Sequence, residues 1–388
     1  MLTKRVNTLS ESLTMAISSL ASKLKADGKD IISFSAGEPD FDTPEVIKNE
    51  AIKAIQDGFT KYTPVPGFPP LLEAISQKLK RDNNLEYKPS QIVTNNGAKH
   101  SLFNLFQATI EEDDEVIIPA PYWVTYPELI KYSGAKPVII QTNESNGFKI
   151  TPKQLQDAIT PKTKMLILTT PSNPTGAVYS KKELEELGKV LQNSDILVAS
   201  DEMYEKLVYD TKFTSVASIS EDMFQRTITI NGLSKSVAMT GWRFGYLASP
   251  KDELIKSIKK LQSQSTSNIC SITQKAAIAG LDTRADNDIE MMRVEFQKRR
   301  DLALKLFNES ENYSLTKPDG AFYLFVNIQK ITSDSMEFCK KLLNEKGVAV
   351  VPGVGFGSEG FVRFSFATDE NSIKEGIKRM IDFSLNYK

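Results

Sequence analysis

The chain has 388 residues, 40% of them hydrophobic and 25% charged, and its 48 basic and 49 acidic residues leave a net charge of -1. That length favours about two domains over a single core, with the composition of an ordinary globular protein. No basic tract invites nucleic acid or an anionic membrane, no apolar run approaches the ~20 residues of a membrane span, and the N-terminal MLTKRVNTLSESL lacks the apolar centre of a signal peptide.

Leu13, Ala16, Ile17, Leu20, Ala21 and Leu24 keep helical spacing, so an amphipathic helix is expected near the start of the chain. SFSAGEPDFDTP (33–44), dense in Gly, Pro and Asp, reads as a loop. A helix at about 44–57, the interruption KYTPVPGFPP and a third helix near 71–82 come next. From there β-rich runs alternate with helical patterns: QIVTN (91–95), EVIIP (115–119), PVII (137–140), KMLILTT (164–170), DILVAS (195–200), TITIN (227–231) and RFGYLAS (243–249). Several are continuous apolar runs without alternation, the pattern of a mostly parallel sheet buried on both faces, and the fold class is α/β. The link between the last two runs is too short for a helical crossover, which predicts an antiparallel pair.

After Pro250 the texture changes. Helical stretches cover about 251–281 and a charged helix covers 289–307. The strand AFYLFVNI, a helix at about 333–345, VAVVPG, the strand FVRFSFA and a helix at about 370–385 complete the chain. These read as a smaller α+β domain. The expected division is a large domain, 45–285, and a small domain made of 1–44 plus 286–388.

Cysteine and histidine usage narrows the chemistry. Cys270 and Cys339 are far apart and form no metal spacing, which fits a reduced, cytoplasmic setting. The only histidine is His100, which argues against His-cluster metal sites and a Ser-His-Asp triad. Acid–base work then falls to Lys, Asp, Glu or Tyr.

In doubly wound sheets, ligands sit beyond the C-terminal ends of the strands, so the residues just after each run test for a site. QIVTN is followed by Asn96-Gly97-Ala98-Lys99, small residues at a helix start that can hold a phosphate with backbone N–H groups. EVIIP leads to Pro121-Tyr122-Trp123, either buried packing or a flat platform for a planar ligand. KMLILTT leads to Pro171-Ser172-Asn173-Pro174-Thr175-Gly176, a forced turn that leaves Asn173 as a rigid amide. DILVAS leads to Asp201-Glu202 with Tyr204 beyond, and an acid ending an apolar strand is costly unless paired. TITIN leads to Lys235 between Ser234 and Ser236, with Arg243 eight residues on. A lysine in such a turn is either an ordinary solvated side chain or a buried amine tuned for covalent carbonyl chemistry. An Asn, an Asp, a Tyr, a Lys and an Arg delivered to one edge of one sheet favour the second. The chemistry that suits them is pyridoxal phosphate catalysis.

The motifs SAGEPDFDTP, KYTPVPGFP, GAKHSLFN, PYWVTYPE, PSNPTGAVY, SDEMYEKLVYD, NGLSKSVAMTGWRFGY, GAFYLF, VAVVPG and FVRFSFAT occur in this order over nearly the whole chain. In them the sequence resembles a fold-type I, class I aminotransferase, specifically the bacterial aspartate aminotransferase branch. The resemblance implies pyridoxal 5'-phosphate held as a Schiff base on Lys235, which later shuttles the proton. It implies Asp201 at the pyridine nitrogen, Tyr204 and Asn173 at the phenolic oxygen, and Trp123 stacked on the ring. Arg243 would take the phosphate with backbone from Gly97 and Ala98, and Ser234 and Lys99 join the cofactor contacts. Tyr62 would reach the phosphate of the neighbouring subunit, which implies a homodimer with shared sites. Arg363 would grip the substrate α-carboxylate, with Gly37, Trp123 and Asn173 lining the pocket. Lys99 would hold a distal carboxylate and Thr14 would lie nearby. The implied partners are amino acid and 2-oxo acid substrates. One departure stands out: many relatives carry a phosphate-binding Ser three residues before the lysine, where this chain has Gly232. The implied reaction is ping-pong transamination with aspartate and glutamate as preferred donors. Aromatic, prephenate or alanine aminotransferases and other fold-type I enzymes such as a β-lyase are the alternatives.

Overall fold

The computed structural model describes residues 2–387 apart from Ser12. Its strands in chain order are β1 (Ile32–Ser33), β2 (Ile92–Asn96), β3 (Glu115–Ala120), β4 (Lys136–Gln141), β5 (Thr163–Thr169), β6 (Leu197–Asp201), β7 (Thr227–Gly232), β8 (Phe244–Ala248), β9 (Ser314–Leu315), β10 (Tyr323–Asn327), β11 (Val348–Ala349), β12 (Val351–Pro352) and β13 (Phe361–Ser365). β2 to β8 form a seven-stranded sheet in the order β2-β8-β7-β6-β5-β3-β4. All its pairings are parallel except those of β8, which runs antiparallel to both β2 and β7. The short link between β7 and β8 thus gives the antiparallel pair that its length predicted.

The continuous apolar runs are buried on both faces. Val116 and Ile118 of β3 join one core cluster while Ile117 between them joins another. Met165 and Ile167 of β5 likewise face one side, and Leu166 and Leu168 the other. On one face lie Leu102, Leu105 and Phe106 of the helix Ala98–Thr109. On the other lie Leu184, Leu187 and Leu191 of the helix Lys181–Leu191. The latter begins in a capping box, in which Ser180 Oγ accepts from the Glu183 amide and Glu183 accepts from the Ser180 amide. Its three leucines together contribute on the order of 5 kcal/mol of hydrophobic stabilisation.

A four-stranded antiparallel sheet, β12-β13-β10-β9, forms from the later part of the chain. The N-terminal segment joins this part: β1 pairs in parallel with β11, and the Ser365 amide donates to the Phe34 carbonyl. The expected helices are present as Leu13–Ala26, Glu45–Gln56, Pro69–Asn83, Asp252–Ser263, Ser271–Leu281, Asp286–Phe307, Ser335–Lys346 and Glu370–Leu385. Short elements went unforeseen, among them the helix Thr125–Tyr132, whose aromatic residues and Pro127 hide a helical period. Among the described residues no helix is long and apolar enough to cross a membrane.

Candidate active site

The reversal of β8 positions the site. β2, β3, β5, β6 and β7 deliver their C-terminal residues to one edge of the sheet, and β8 starts from that same edge. Arg243, immediately before β8, therefore lies with the residues that come after the parallel strands.

Lys235 is partly buried, and its Nζ donates to the Gly37 carbonyl at 2.5 Å. It stands 6.0 Å from the centre of the Tyr204 ring. Burial pulls its pKa down to about 8. The Glu38 carboxylate opposes the fall, the Arg363 and Arg243 charges deepen it, and Asp201 opposes it. A lysine so placed keeps about a tenth of its amine neutral at about pH 7, far more than a free lysine, and the neutral amine is the form that attacks a carbonyl.

Asp201 ends β6 fully inside the protein. Its Oδ2 accepts from the Tyr126 hydroxyl at 2.7 Å, and its Oδ1 accepts a longer bond, 3.3 Å, from the Met203 amide. Burial raises its pKa, while Tyr126, the Met203 amide and the Lys235 charge hold it down. Tyr204 is buried and its hydroxyl lies 2.9 Å from that of Tyr323 on β10. Burial lifts the Tyr204 phenol far above its ordinary range, so it serves as a hydrogen-bond donor rather than an anion.

Arg363, on β13, is 2% exposed, and no acidic side chain among the described residues lies in hydrogen-bond reach of it. Nη1 donates to Asn173 Oδ1 at 3.0 Å and Nη2 to the Ser35 carbonyl at 2.9 Å. The guanidinium sits 4.4 Å from the centre of the Tyr323 ring and 5.2 Å from that of Phe356. Its buried Nε has no hydrogen-bond partner among the described residues. A buried cation with unused donors is costly, and a carboxylate would satisfy it.

At the opposite corner Gly97 caps the helix Ala98–Thr109 with φ +80°, and a Cβ there would lie 2.5 Å from Arg243 Nη2. Arg243 itself has φ +56°, and its guanidinium donates to the carbonyls of Thr240 and Asn96. The Ala98 and Lys99 amides at the start of this helix have no acceptor among the described residues, whereas the His100 amide already bonds the Gly97 carbonyl, and together with Arg243 those two amides make an anion-binding corner. Lys99 extends over the Trp123 ring, 5.1 Å from its centre, and Trp123 meets Tyr126 edge-on. Although Lys99 is exposed, the protein around its stem and the charge of Arg243 pull its pKa below the ordinary lysine range.

Gly37, Asn173, Asp201, Tyr204, Lys235 and Arg363 are thus joined by direct contacts or close electrostatic coupling, and Gly97, Ala98, Lys99, Trp123 and Arg243 form the adjoining corner. Ser234 is buried. Tyr62 lies apart, 92% exposed. The side chain of Thr14 lies outside the described residues, although its backbone belongs to the helix Leu13–Ala26. Sequence reasoning missed Tyr126, Tyr323, Thr169 and Glu38. Each of them except Thr169 lies inside a motif already singled out, but as an aromatic or a loop acid with no stated partner.

A doubly wound sheet that gathers a depressed-pKa lysine, a buried carboxylate and two guanidinium groups at one edge defines an α/β enzyme built to hold a carbonyl compound on an amine. The sequence profile of the family described as aminotransferase class I and II matches residues 29–380, and the chain belongs to that family. It is an aminotransferase of the pyridoxal-phosphate-dependent kind. It is 48% identical over 388 residues to an aspartate aminotransferase of Bacillus subtilis, covering 98% of each chain. It is 46% identical to a probable aspartate/prephenate aminotransferase of Rickettsia felis, over 97% of this chain and 94% of that one. The solved aspartate aminotransferase of Thermus thermophilus with maleate superposes with a TM-score of 0.95 at 39% identity, over 98% of this chain and 99% of the other.

Proposed function

We propose that the chain is an aspartate aminotransferase, moving the amino group between L-aspartate and 2-oxoglutarate to give oxaloacetate and L-glutamate, with Lys235 as its covalent cofactor lysine. The observation that carries the reading is the placement of Lys235, its Nζ on the Gly37 carbonyl and beside the Tyr204 ring, at the same sheet edge as the buried Asp201 and Arg363. The donor set fits pyridoxal 5'-phosphate: an amine for its aldehyde, a carboxylate for its ring nitrogen, and hydroxyl and amide groups for its phenolic oxygen. Arg243 with the Gly97 corner would take the phosphate, where a Cβ at residue 97 would already crowd the guanidinium. When bound, the cofactor supplies an electron sink that acidifies the substrate Cα–H.

The remaining work belongs to the chain. Lys235 Nζ, as a neutral amine, takes the Cα proton and returns it on the other side of the reaction. Asp201 keeps a negative charge at one end of the site, and Arg243 keeps a positive one at the other. Arg363 fixes the substrate α-carboxylate with a planar fork, and Asn173 and Tyr323 hold that fork in place. Lys99, over the Trp123 face, is the cation placed for a distal carboxylate, which fits a four- or five-carbon diacid. The named relatives point the same way, one of them crystallised with the diacid maleate.

In the same proposal the large domain spans 45–285 and the small domain 1–44 plus 286–388. The β1–β11 pairing, which ties the N-terminal segment to the C-terminal part, supports that division. The exposed Tyr62 supports a homodimer in which it reaches the neighbouring subunit's phosphate corner. The free Cys270 and Cys339 fit a cytoplasmic setting. A second reading, with prephenate as an additional acceptor, is favoured by the Rickettsia relative. Purified chain assayed side by side with aspartate, alanine, tyrosine and prephenate decides among these. Aspartate with 2-oxoglutarate should give glutamate fastest, alanine turnover equal to it would overturn the reading, and release of free ammonia without glutamate formation would point to a β-lyase.

A further inference from the structure

One fully buried hydroxyl at the site has no part in this chemistry. Tyr126, 1% exposed on the helix Thr125–Tyr132, places its Oη 2.7 Å from Asp201 Oδ2 and 2.8 Å from Thr169 Oγ1. Thr169, itself partly buried, is the cross-strand neighbour of Asp201 where β5 pairs with β6, so the three groups form one hydrogen-bonded chain at the strand ends. We propose that Tyr126, backed by Thr169, is a positioning residue that keeps Asp201 ionised with Oδ2 tied down and Oδ1 left for the ring nitrogen of the cofactor. The inference rests on the assignment of Asp201 to that nitrogen.

The directions of the bonds come from the groups themselves. An ionised carboxylate can only accept, so the Tyr126 O–H must donate to Asp201 Oδ2. The lone pairs of Tyr126 then face Thr169, whose hydroxyl must donate in turn. Such a chain strengthens the terminal bond. Oδ1 receives only the long Met203 amide bond, so the carboxylate has one occupied and one available side.

The need for this device comes from the surroundings. Burial drives the Asp201 carboxyl toward its neutral form, and the influences that oppose it are Tyr126, the Met203 amide and the Lys235 charge. The other titratable group facing it is Tyr204, which stays neutral. The Lys235 charge disappears when the lysine acts as a neutral amine, the state its chemistry requires. Tyr126 is then the strongest support left for the anion. A purely structural Tyr126 would be explained by its ring alone, which packs edge-on to Trp123. Phenylalanine keeps that ring and removes only the hydroxyl.

The test uses full-length protein loaded with pyridoxal 5'-phosphate labelled with 15N at the ring nitrogen, read by NMR against pH, with Asp201→Asn as the unprotonated reference. Wild-type uptake is read first from the visible cofactor band. In Tyr126→Phe the midpoint for ring protonation should fall by about one to two pH units, the scale of one hydrogen bond to a charged group. Thr169→Val should move it the same way by less, and Thr169→Ser should restore the wild-type value. A Tyr126→Phe midpoint equal to wild type overturns the proposal. Where Tyr126→Phe does not fold, a Thr169→Val midpoint equal to that of Thr169→Ser overturns it instead. A wild-type chain that takes up no cofactor overturns the Asp201 assignment together with this inference, so the two failures are told apart.

Discussion

The sharpest consequence of the geometry concerns Lys235 and the acid that faces it. With a pKa of about 8, roughly a quarter of the Lys235 amine is neutral at about pH 7.5, against about one part in a thousand for a free lysine. The environment thus supplies a ~200-fold gain in the reactive form near neutrality, equivalent to ~3 kcal/mol. Glu38 is the largest charge opposing that gain. Its carboxylate accepts from Thr240 Oγ1 at 2.8 Å, which keeps it close to the mouth of the site. A carboxylate favours the ammonium form, so Glu38→Gln must lower the Lys235 midpoint further. Because Glu38 is exposed, solvent screening limits the shift to about half a unit. The assay is stopped-flow capture of pyridoxal 5'-phosphate by the cofactor-free chain between about pH 6 and about pH 10, where the free-amine fraction sets the rate. The wild-type rate should climb with pH and level off above a midpoint near 8, and the variant curve should lie to the acid side. A midpoint near that of free lysine would refute the burial argument. A Glu38→Gln curve displaced to the alkaline side would refute the charge argument.

Other consequences can be read independently. Arg363→Lys loses the bonds to Asn173 Oδ1 and the Ser35 carbonyl and the stacking on Tyr323, so kcat/KM for aspartate should drop by about two orders of magnitude while the visible cofactor band is unchanged. Gly97→Ala puts a Cβ against Arg243 at a φ of +80°, and with left-handed strain of ~1–2 kcal/mol plus the displaced guanidinium, the cofactor Kd measured by dialysis should rise about tenfold or more. Glu202→Gln addresses stability. Glu202 is buried, Ser200, Ser215 and the Val216 amide bond only its Oε1, Oε2 has no partner among the described residues, and burial beside Glu205 pushes its pKa up to about 7. A folded-state acid raised above its unfolded value costs stability as pH climbs through that window, here by up to ~3 kcal/mol once above the folded value. Urea titrations should therefore show Glu202→Gln gaining on wild type between about pH 5 and about pH 8, and an unchanging difference would contradict the protonated-carboxyl reading.

The parts of the site legible in the sequence were those announced by strand ends. Asn173, Asp201 and Lys235 each come after an apolar run, so a polar residue there had to face an edge. The antiparallel link before β8 carried Arg243 to the same edge. Tyr126 and Tyr323 were not legible, for a physical reason. A tyrosine in an apolar stretch reads as core, and its ring does pack there. What brings these two into the candidate site is the partner of the hydroxyl, and those partners lie 75 and 119 positions away in sequence. The depressed pKa of Lys235 is a similar case, since burial and four separate charges set it jointly.

Gly232 shows the same limit from the other side. In the sequence it stood out as an absence, the place of a phosphate-binding serine. In the structure a Cβ at this position would sit 2.6 Å from the Phe244 carbonyl oxygen and 3.0 Å from Gly245 Cα, so no side chain fits unless β8 moves. Gly245 is pressed in turn against the start of the helix Ala98–Thr109, where a Cβ would lie 2.5 Å from the Ala98 nitrogen. β7, β8 and that helix start are therefore packed backbone to backbone at the point from which Arg243 departs with φ +56°. A serine at 232 would push β8 away and move Arg243 with it. The missing hydroxyl and the placement of the arginine share one packing arrangement, in which backbone closeness does the work that a side-chain contact does elsewhere.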